Sequence, residues 1–342
     1  MTGVAVVGYG HWGPNHARVF SSFPDCTLRW IVDADPERLE AARRAFPNTR
    51  LTNDVTEVWR DPKVHCVVIA VPVRRHFHLT DAALDAGKHV LCEKPLTLHR
   101  NEAEQLLNKA AQKNLTLMCG HVFLYNPGIL ELERVIRQEN CGPIRYLTAT
   151  RVNLGPFHCD VNVAWDLASH DLYIFSQLLG LYPESVSCHG GRYLGTELEE
   201  VCFLNMRYPD GAMGNIHVSW LSPTKIREIV VVCERKMVIW NDLNQEGPIK
   251  IYNSRVERRE LHDYGMFLLS ARASEILIPR VQLAEPLALQ NLAFLSYAAA
   301  GVSPEGIGAD PVAVIAQLEA AEQSMKENGA AQTIHFPTQA KV

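Results

Sequence analysis

The chain has 342 residues, and at roughly 150 residues per domain that length points to two domains. Its 33 basic and 38 acidic residues leave a formal net charge of -5, and 47% of the chain is hydrophobic. This balance excludes a disordered protein and argues against one built to coat nucleic acid or an anionic membrane.

The nine cysteines include no CxxC, and the closest pair, Cys188 and Cys202, is 14 positions apart. Neither a metal centre nor a disulfide framework is indicated, so reduced thiols and a cytoplasmic location are expected. No apolar run approaches the ~20 residues that span a bilayer. A strand beginning a few residues after Met1 leaves no room for a signal peptide. The short basic clusters Arg74–Arg75 and Arg258–Arg259 read as solvated surface.

In chain order, Val4–Gly8 reads as a strand, Gly13–Phe20 as a helix, Leu28–Val32 as a strand and Pro36–Phe46 as a helix. Cys66–Val71 is a continuous apolar run, the pattern of a parallel strand buried on both faces. Helix at His76–Ala86, strand at His89–Cys92, helix at Asn101–Lys113 and strand at Leu115–Cys119 follow. This alternation predicts a doubly wound parallel sheet, an α/β nucleotide-binding domain over residues 1–120. Beyond Gly120 the rhythm changes. Helical patterns at Asn126–Gln138 and Val163–Leu179 precede strand-like stretches between Ser185 and Ile251, punctuated by Pro209-Asp210-Gly211, Ser222-Pro223 and Glu246-Gly247-Pro248. Helices return at Pro286–Ala299 and Pro311–Lys326. Residues 121–342 therefore read as an α+β domain with a largely antiparallel sheet.

The first strand runs into Gly8-Tyr9-Gly10-His11-Trp12-Gly13, a GxGxxG with a strand before it and a helix after it. Gly8 permits the tight turn, Gly10 lets the backbone approach a pyrophosphate, and Gly13 allows close helix–strand packing. His11 and Trp12 complete the loop. Asp33 ends the second strand 20 residues after Gly13, where an acid binds an adenosine ribose. Its carboxylate repels a 2′-phosphate, and Ala34-Asp35-Pro36 supplies no arginine to receive one. NAD is expected over NADP.

Two further constellations carry chemistry. Cys92-Glu93-Lys94-Pro95 closes a strand of the parallel sheet, which places Lys94 at the cofactor cleft, where an ammonium can stabilise alkoxide character. In Trp165-Asp166-Leu167-Ala168-Ser169-His170-Asp171, Asp166 and His170 are four apart and share a helix face. Tyr173 and Gln177 continue that polar line. His170 has the titration range of a general base. Spacing alone favours an ordinary N-terminal aspartate followed by a satisfied histidine.

These motifs, in this order, resemble the Gfo/Idh/MocA oxidoreductases over nearly the whole chain. The resemblance implies an N-terminal Rossmann domain for NAD(P) and, over residues 121–342, a C-terminal α/β domain with an open, mostly antiparallel mixed sheet for binding a sugar or cyclitol and for oligomerisation. It makes Lys94 the catalytic lysine, His170 the acid/base and Asp166 the substrate-side aspartate. Glu93 and the segment Val71-Pro72-x-x-x-His76 line the nicotinamide pocket, although Val71 replaces a common threonine and Ala168 a common glycine. It also implies a cis Lys94–Pro95 bond. Tyr9–Asn15, Gly120–Pro127, Trp165–Asp171, Ile278-Pro279-Arg280 and Glu285-Pro286-Leu287 are similar to a bacterial nucleotide-sugar dehydrogenase subgroup. That subgroup oxidises the C3 hydroxyl of UDP-N-acetylglucosamine or its uronic acid, and likeness to it adds Tyr125 and Asn126 as substrate contacts, against the equal alternative of a helix-capping Asn-Pro turn beside a core tyrosine.

The reading is an NAD-dependent dehydrogenase of a UDP-linked amino sugar, assembled as a homodimer or homotetramer, with no metal, nucleic acid or membrane partner. One alternative is a cyclitol or free-sugar dehydrogenase. Another, of a different class, is a non-catalytic NAD(H) sensor, which would need the glycine loop but not Lys94 and His170.

Overall fold

The computed structural model describes residues 1–155, 160–253, 256–260, 267–271 and 275–336, with only the backbone of 256–260 and 267–271. Cys159 and the side chains of Arg258 and Arg259 lie outside the described residues. The chain divides into two compact units: Met1–Tyr125 with Ala284–Ala316, and Asn126–Leu283 with Gln317–Val342.

The first unit alternates strand and helix: β1 (Thr2–Val7), α1 (Gly13–Ser22), β2 (Cys26–Val32), α2 (Pro36–Ala45), β3 (Arg50–Thr52), α3 (Thr56–Arg60), β4 (Cys66–Ile69), α4 (His76–Asp85), β5 (His89–Cys92), α5 (Arg100–Gln112) and β6 (Leu117–Cys119). The strands form one parallel sheet in the order β3-β2-β1-β4-β5-β6. Its central residues Val4–Val6, Val67–Ile69 and Val90 are fully buried, because helices cover both faces of a parallel sheet. Strand order reverses beside β1, which opens a ligand crevice beyond the carboxyl ends of β1 and β4.

A single boundary at residue 120 does not describe this chain. Helix α8 (Pro286–Ala300) belongs to the first unit, where it packs on α1 and on the turn Val122–Tyr125. Phe294 is fully buried in the same cluster as Phe20 and Tyr9, with Tyr125 and Tyr297 against it. Past α8, Thr116 Oγ1 donates to the Val302 carbonyl (2.7 Å) and Leu117 N to Ser303 Oγ (3.0 Å), which ties the return segment to β6.

The second unit holds α6 (Pro127–Gln138), β7 (Ile144–Leu154), a π-helical turn Ala164–Ala168 leading into α7 (Ser169–Leu179), then β8 (Ser185–Gly191), β9 (Val201–Arg207), β10 (Met213–Ser219), β11 (Leu221–Cys233), β12 (Met237–Asn241), β13 (Ile249–Tyr252), β14 (Val256–Glu260), β15 (Phe267–Ala271), β16 (Ile276–Leu277) and β17 (Gln332–Thr333). The division between units falls within α9 (Pro311–Lys326). Nine strands run β16-β13-β12-β11-β7-β10-β9-β8-β17, with β14 and β15 paired separately. All neighbours in the large sheet are antiparallel except β7 and β10. One face buries Leu147, Ala149, Leu204, Met206, Ile216, Val218, Ile229 and Val231, while Tyr146, Phe203, Asn205, Arg207 and Met213 project from the other. That alternation is the signature of a sheet covered on one side.

Among the described residues, eight cysteines are buried and form no disulfide. Among the described residues no helix is long and apolar enough to cross a membrane, and no cluster of His, Cys, Asp or Glu could hold a metal ion.

Candidate active site

The turn from β1 into α1 has the shape a phosphate needs. Gly8 has φ +96°, and a Cβ on it would lie 2.3 Å from the Ala70 carbonyl oxygen. A Cβ on Gly13 would lie 2.0 Å from the Gly8 carbonyl oxygen, so α1 can pack this closely only through glycine. At Gly10 a Cβ would meet only Arg38 Nη1, at 3.5 Å, which leaves that backbone open to an approaching group. No side chain caps α1, and its first turn carries no acid to compete with an anion. The exposed His11 and Trp12 flank the opening. The loop fits a dinucleotide pyrophosphate.

Asp33 follows β2 at the edge of this loop and is 9% exposed. Its Oδ2 accepts the Tyr9 N–H at 2.6 Å, and its Oδ1 accepts the Asp35 N–H at 2.9 Å. Contrary to the reading of Ala34-Asp35-Pro36, an arginine does stand here. Arg38 Nη1 lies 3.6 Å from Asp33 Oδ2, because α2 starts at Pro36 and its first turn carries residue 38 back over the strand end.

Val71 and Pro72 follow β4, and Glu93 and Lys94 follow β5, all at the carboxyl edge of the sheet. The Lys94–Pro95 bond is cis. His76 is 1% exposed, with Nδ1 2.8 Å from the Pro95 carbonyl oxygen and Nε2 2.8 Å from that of Val71. Its ring staples the backbone segments that follow β4 and β5 to each other. Burial pushes its pKa down, against the pull of the two carbonyls and of Glu93. Glu93 Oε1 is 2.8 Å from His16 Nε2, and its Oε2 accepts the Lys94 N–H at 3.2 Å. His121, within the Gly120–Pro127 motif, is buried with Nδ1 3.2 Å from the Gly308 carbonyl oxygen. Burial lowers its pKa to about 4.

In the second unit Asp166 lies in the π turn and His170 opens α7. The expected continuous α-helix is therefore widened by one turn of π geometry, a feature frequent at functional sites. Trp220 Nε1 donates to Asp166 Oδ2 at 3.1 Å. The imidazole of His170 is held by Tyr173, whose hydroxyl lies 2.9 Å from Nδ1. When Tyr173 accepts the Nδ1 proton, Nε2 carries the lone pair a base needs. Behind this helix Arg151 makes a bidentate pair with Asp171, Nε–Oδ2 3.0 Å and Nη2–Oδ1 2.8 Å, both side chains almost fully buried.

The boundary between the units falls between Tyr125 and Asn126. Tyr125 packs on the core of the first unit, and burial raises its phenol pKa. Asn126 caps α6: its Oδ1 accepts Gly128 N–H (2.8 Å) and its Nδ2 donates to Asp242 Oδ1 (3.1 Å). Tyr173, Trp220 and Arg38 are the neighbours that sequence reasoning left out of the site. Only Tyr173 had a signal, its place on the polar line of the helix.

Residues 2–121 match the model of an oxidoreductase family with an NAD-binding Rossmann fold, and residues 129–239 match a GFO/IDH/MocA C-terminal domain. The chain is 30% identical over 245 residues to the UDP-N-acetylglucosamine 3-dehydrogenase of Acidithiobacillus ferrooxidans, spanning 69% of this chain and 71% of that one. The solved structure of that enzyme superposes with a TM-score of 0.78 at 26% identity, covering 95% and 96% of the two chains. The NAD-dependent scyllo-inositol 2-dehydrogenase of Bacillus subtilis is 28% identical over 64% of this chain and 67% of its own. GenD2 from gentamicin A biosynthesis, solved with NAD, shares the fold (TM-score 0.82, 24% identity, 98% and 97% coverage).

Proposed function

The chain belongs to the Gfo/Idh/MocA family of NAD-dependent oxidoreductases acting on CH–OH groups, and on that footing we propose that it oxidises the C3 hydroxyl of UDP-N-acetylglucosamine to the 3-keto sugar. The observation that carries the substrate is the 30% identity to an enzyme of that name across more than two thirds of both chains.

The glycine loop Gly8–Gly13 and the start of α1 would hold the cofactor's pyrophosphate, and Asp33 its adenosine ribose. Val71, Pro72 and Glu93 would border the nicotinamide. When bound, NAD supplies the hydride acceptor. Lys94, whose compact ammonium is a strong hydrogen-bond donor, suits donation to the reacting oxygen more than the removal of its proton. His170 would take that proton at Nε2 while Tyr173 holds the ring by Nδ1. Asp166, steadied by Trp220 Nε1, would orient the sugar. We assign Tyr125 no chemistry, since its hydroxyl is disfavoured as a base by burial.

Incubating the protein with NAD and a panel of UDP-sugars tests this, with absorbance at 340 nm for NADH and mass analysis of the product. Turnover confined to inositols or free sugars would support the cyclitol reading instead, which the scyllo-inositol dehydrogenase likeness favours. NADH binding without turnover on any polyol would support the sensor. The outward face of the nine-stranded sheet, with Tyr146, Phe203 and Met213 exposed, suits pairing with a second copy. Sedimentation would show a dimer or tetramer, and a monomer would refute the pairing. The free buried thiols suit a reducing compartment such as the cytoplasm.

A further inference from the structure

Glu93 is a buried carboxylate, 8% exposed, and a charge in that position is tolerated only with partners. Both oxygens have one: Oε1 meets His16 Nε2 at 2.8 Å and Oε2 accepts the backbone N–H of Lys94 at 3.2 Å. His16 reaches it from the helix that opens on the glycine loop, 77 residues away in the chain. His16 itself is fully buried, and its Nδ1 has no hydrogen-bond partner. A proton on Nδ1 would be a buried orphan, so the ring proton belongs on Nε2, donating to Glu93.

The other groups facing Glu93 leave the charge balance to one residue. His76 from α4 and His121 beyond β6 face it, and burial pushes both toward the neutral form. The thiols of Cys92 and Cys119 face it too, and burial raises both. Lys94 is the remaining cation among these groups. Burial works against ionisation of Glu93, but the His16 hydrogen bond and the nearby charges outweigh it and hold its carboxyl below the usual range. The surroundings of Gly120 explain why nothing else fills the space: a Cβ there would lie 3.1 Å from Glu93 Oε2.

We propose that His16 is a positioning residue that keeps Glu93 ionised, and that ionised Glu93 anchors the backbone and counter-charge of Lys94. The phosphate-binding helix is thereby wired to the residue that meets the reacting oxygen. The inference rests on the assignment of Lys94 to that role.

The test uses the full chain in five forms: wild type, His16→Leu, His16→Gln, Glu93→Gln and the double variant His16→Leu/Glu93→Gln. His16→Met is a second donor-free variant should the leucine form not fold. Infrared difference spectra of the cofactor-free protein report the carboxylic acid band as pH falls. Loss of the donor should bring in the Glu93 band about one pH unit higher or more. The acid limb of kcat/KM should move the same way, with turnover at pH 7 down about tenfold. Glutamine, which keeps an N–H near the position of Nε2, should restore both. In the Glu93→Gln background His16→Leu should add nothing. The proposal is overturned if His16→Leu lowers only Tm and leaves band and limb in place, or if glutamine rescues no better than leucine. A wild type that turns over no sugar would refute the functional reading, whereas the infrared arm needs no substrate and still decides this one.

Discussion

Replacing Asp33 by serine should move cofactor choice toward the 2′-phosphorylated dinucleotide by two separable amounts. In the wild type the carboxylate, fixed by the N–H groups of Tyr9 and Asp35, would accept the ribose hydroxyl as a charge-assisted bond. Its loss should weaken NAD by about 1.5–3 kcal/mol. Relief of the carboxylate–phosphate repulsion, together with release of Arg38 from Asp33 (3.6 Å apart, Arg38 side chain 52% exposed), should strengthen NADP. After solvent screening that gain is about 1–3 kcal/mol. The Kd ratio should therefore move by about two to four orders of magnitude. Serine can still accept one of the two N–H groups, so the strand end stays closed. Calorimetric titration of NADH and NADPH into wild type, Asp33→Ser, Arg38→Ala and the double variant separates the terms. Arg38→Ala should change little in the wild-type background and remove much of the NADP gain in the serine background. A wild type that binds both cofactors equally, or a ratio moved less than twofold by serine, would refute the reasoning.

The remaining predictions concern the chemistry and the buried charges. His170→Ala should lower turnover by about 10²–10⁴-fold with NADH affinity retained; Lys94→Ala should lose a comparable factor, and the double variant less than the product. Near-normal turnover of His170→Ala from pH 6 to 9 would remove it as the base. Arg151→Met should cost about 3–5 kcal/mol in urea unfolding by stranding buried Asp171, and a loss under 1 kcal/mol would show the pair to be dispensable. His121, with its pKa lowered from 6.5 to about 4, binds its proton first in the unfolded state. Its stability contribution is intact above pH 6.5 and lost between there and about 4, a total of about 3 kcal/mol. His121→Asn, which can still donate to the Gly308 carbonyl, should flatten that part of the Tm–pH curve between pH 7 and 4; an unchanged slope would count against it.

Legibility in the sequence followed the physics of each element. The parallel strands were plain because burial on both faces forces continuous apolar runs such as Cys66–Ile69, and the glycine loop because only glycine fits at Gly8 and Gly13. β7, which stands between β10 and β11, is not among the predicted elements, since charged Arg145 and Arg151 interrupt the apolar pattern of a central strand. Arg151 is in fact buried, and its reason, Asp171, lies on another element. Short β3 and α3 offered too few residues for a period to show. The return of α8 to the first unit is a tertiary fact: its apolar residues could cover any core, and only packing on Phe20 and Tyr9 says which.

The same distinction separates the residues that motifs single out from those that only packing brings to them. A motif names residues whose chemistry is exposed to a ligand. His76 and His16 turn theirs inward, the one to the carbonyls of Val71 and Pro95, the other to Glu93, and no spacing rule connects those partners. Their isolation from solvent makes them effective: an imidazole that met water would hold neither a peptide carbonyl nor a carboxylate so firmly. The fold thus spends two buried histidines on the few residues around Lys94, and the accuracy of the lysine's placement should depend on them as much as on the lysine itself.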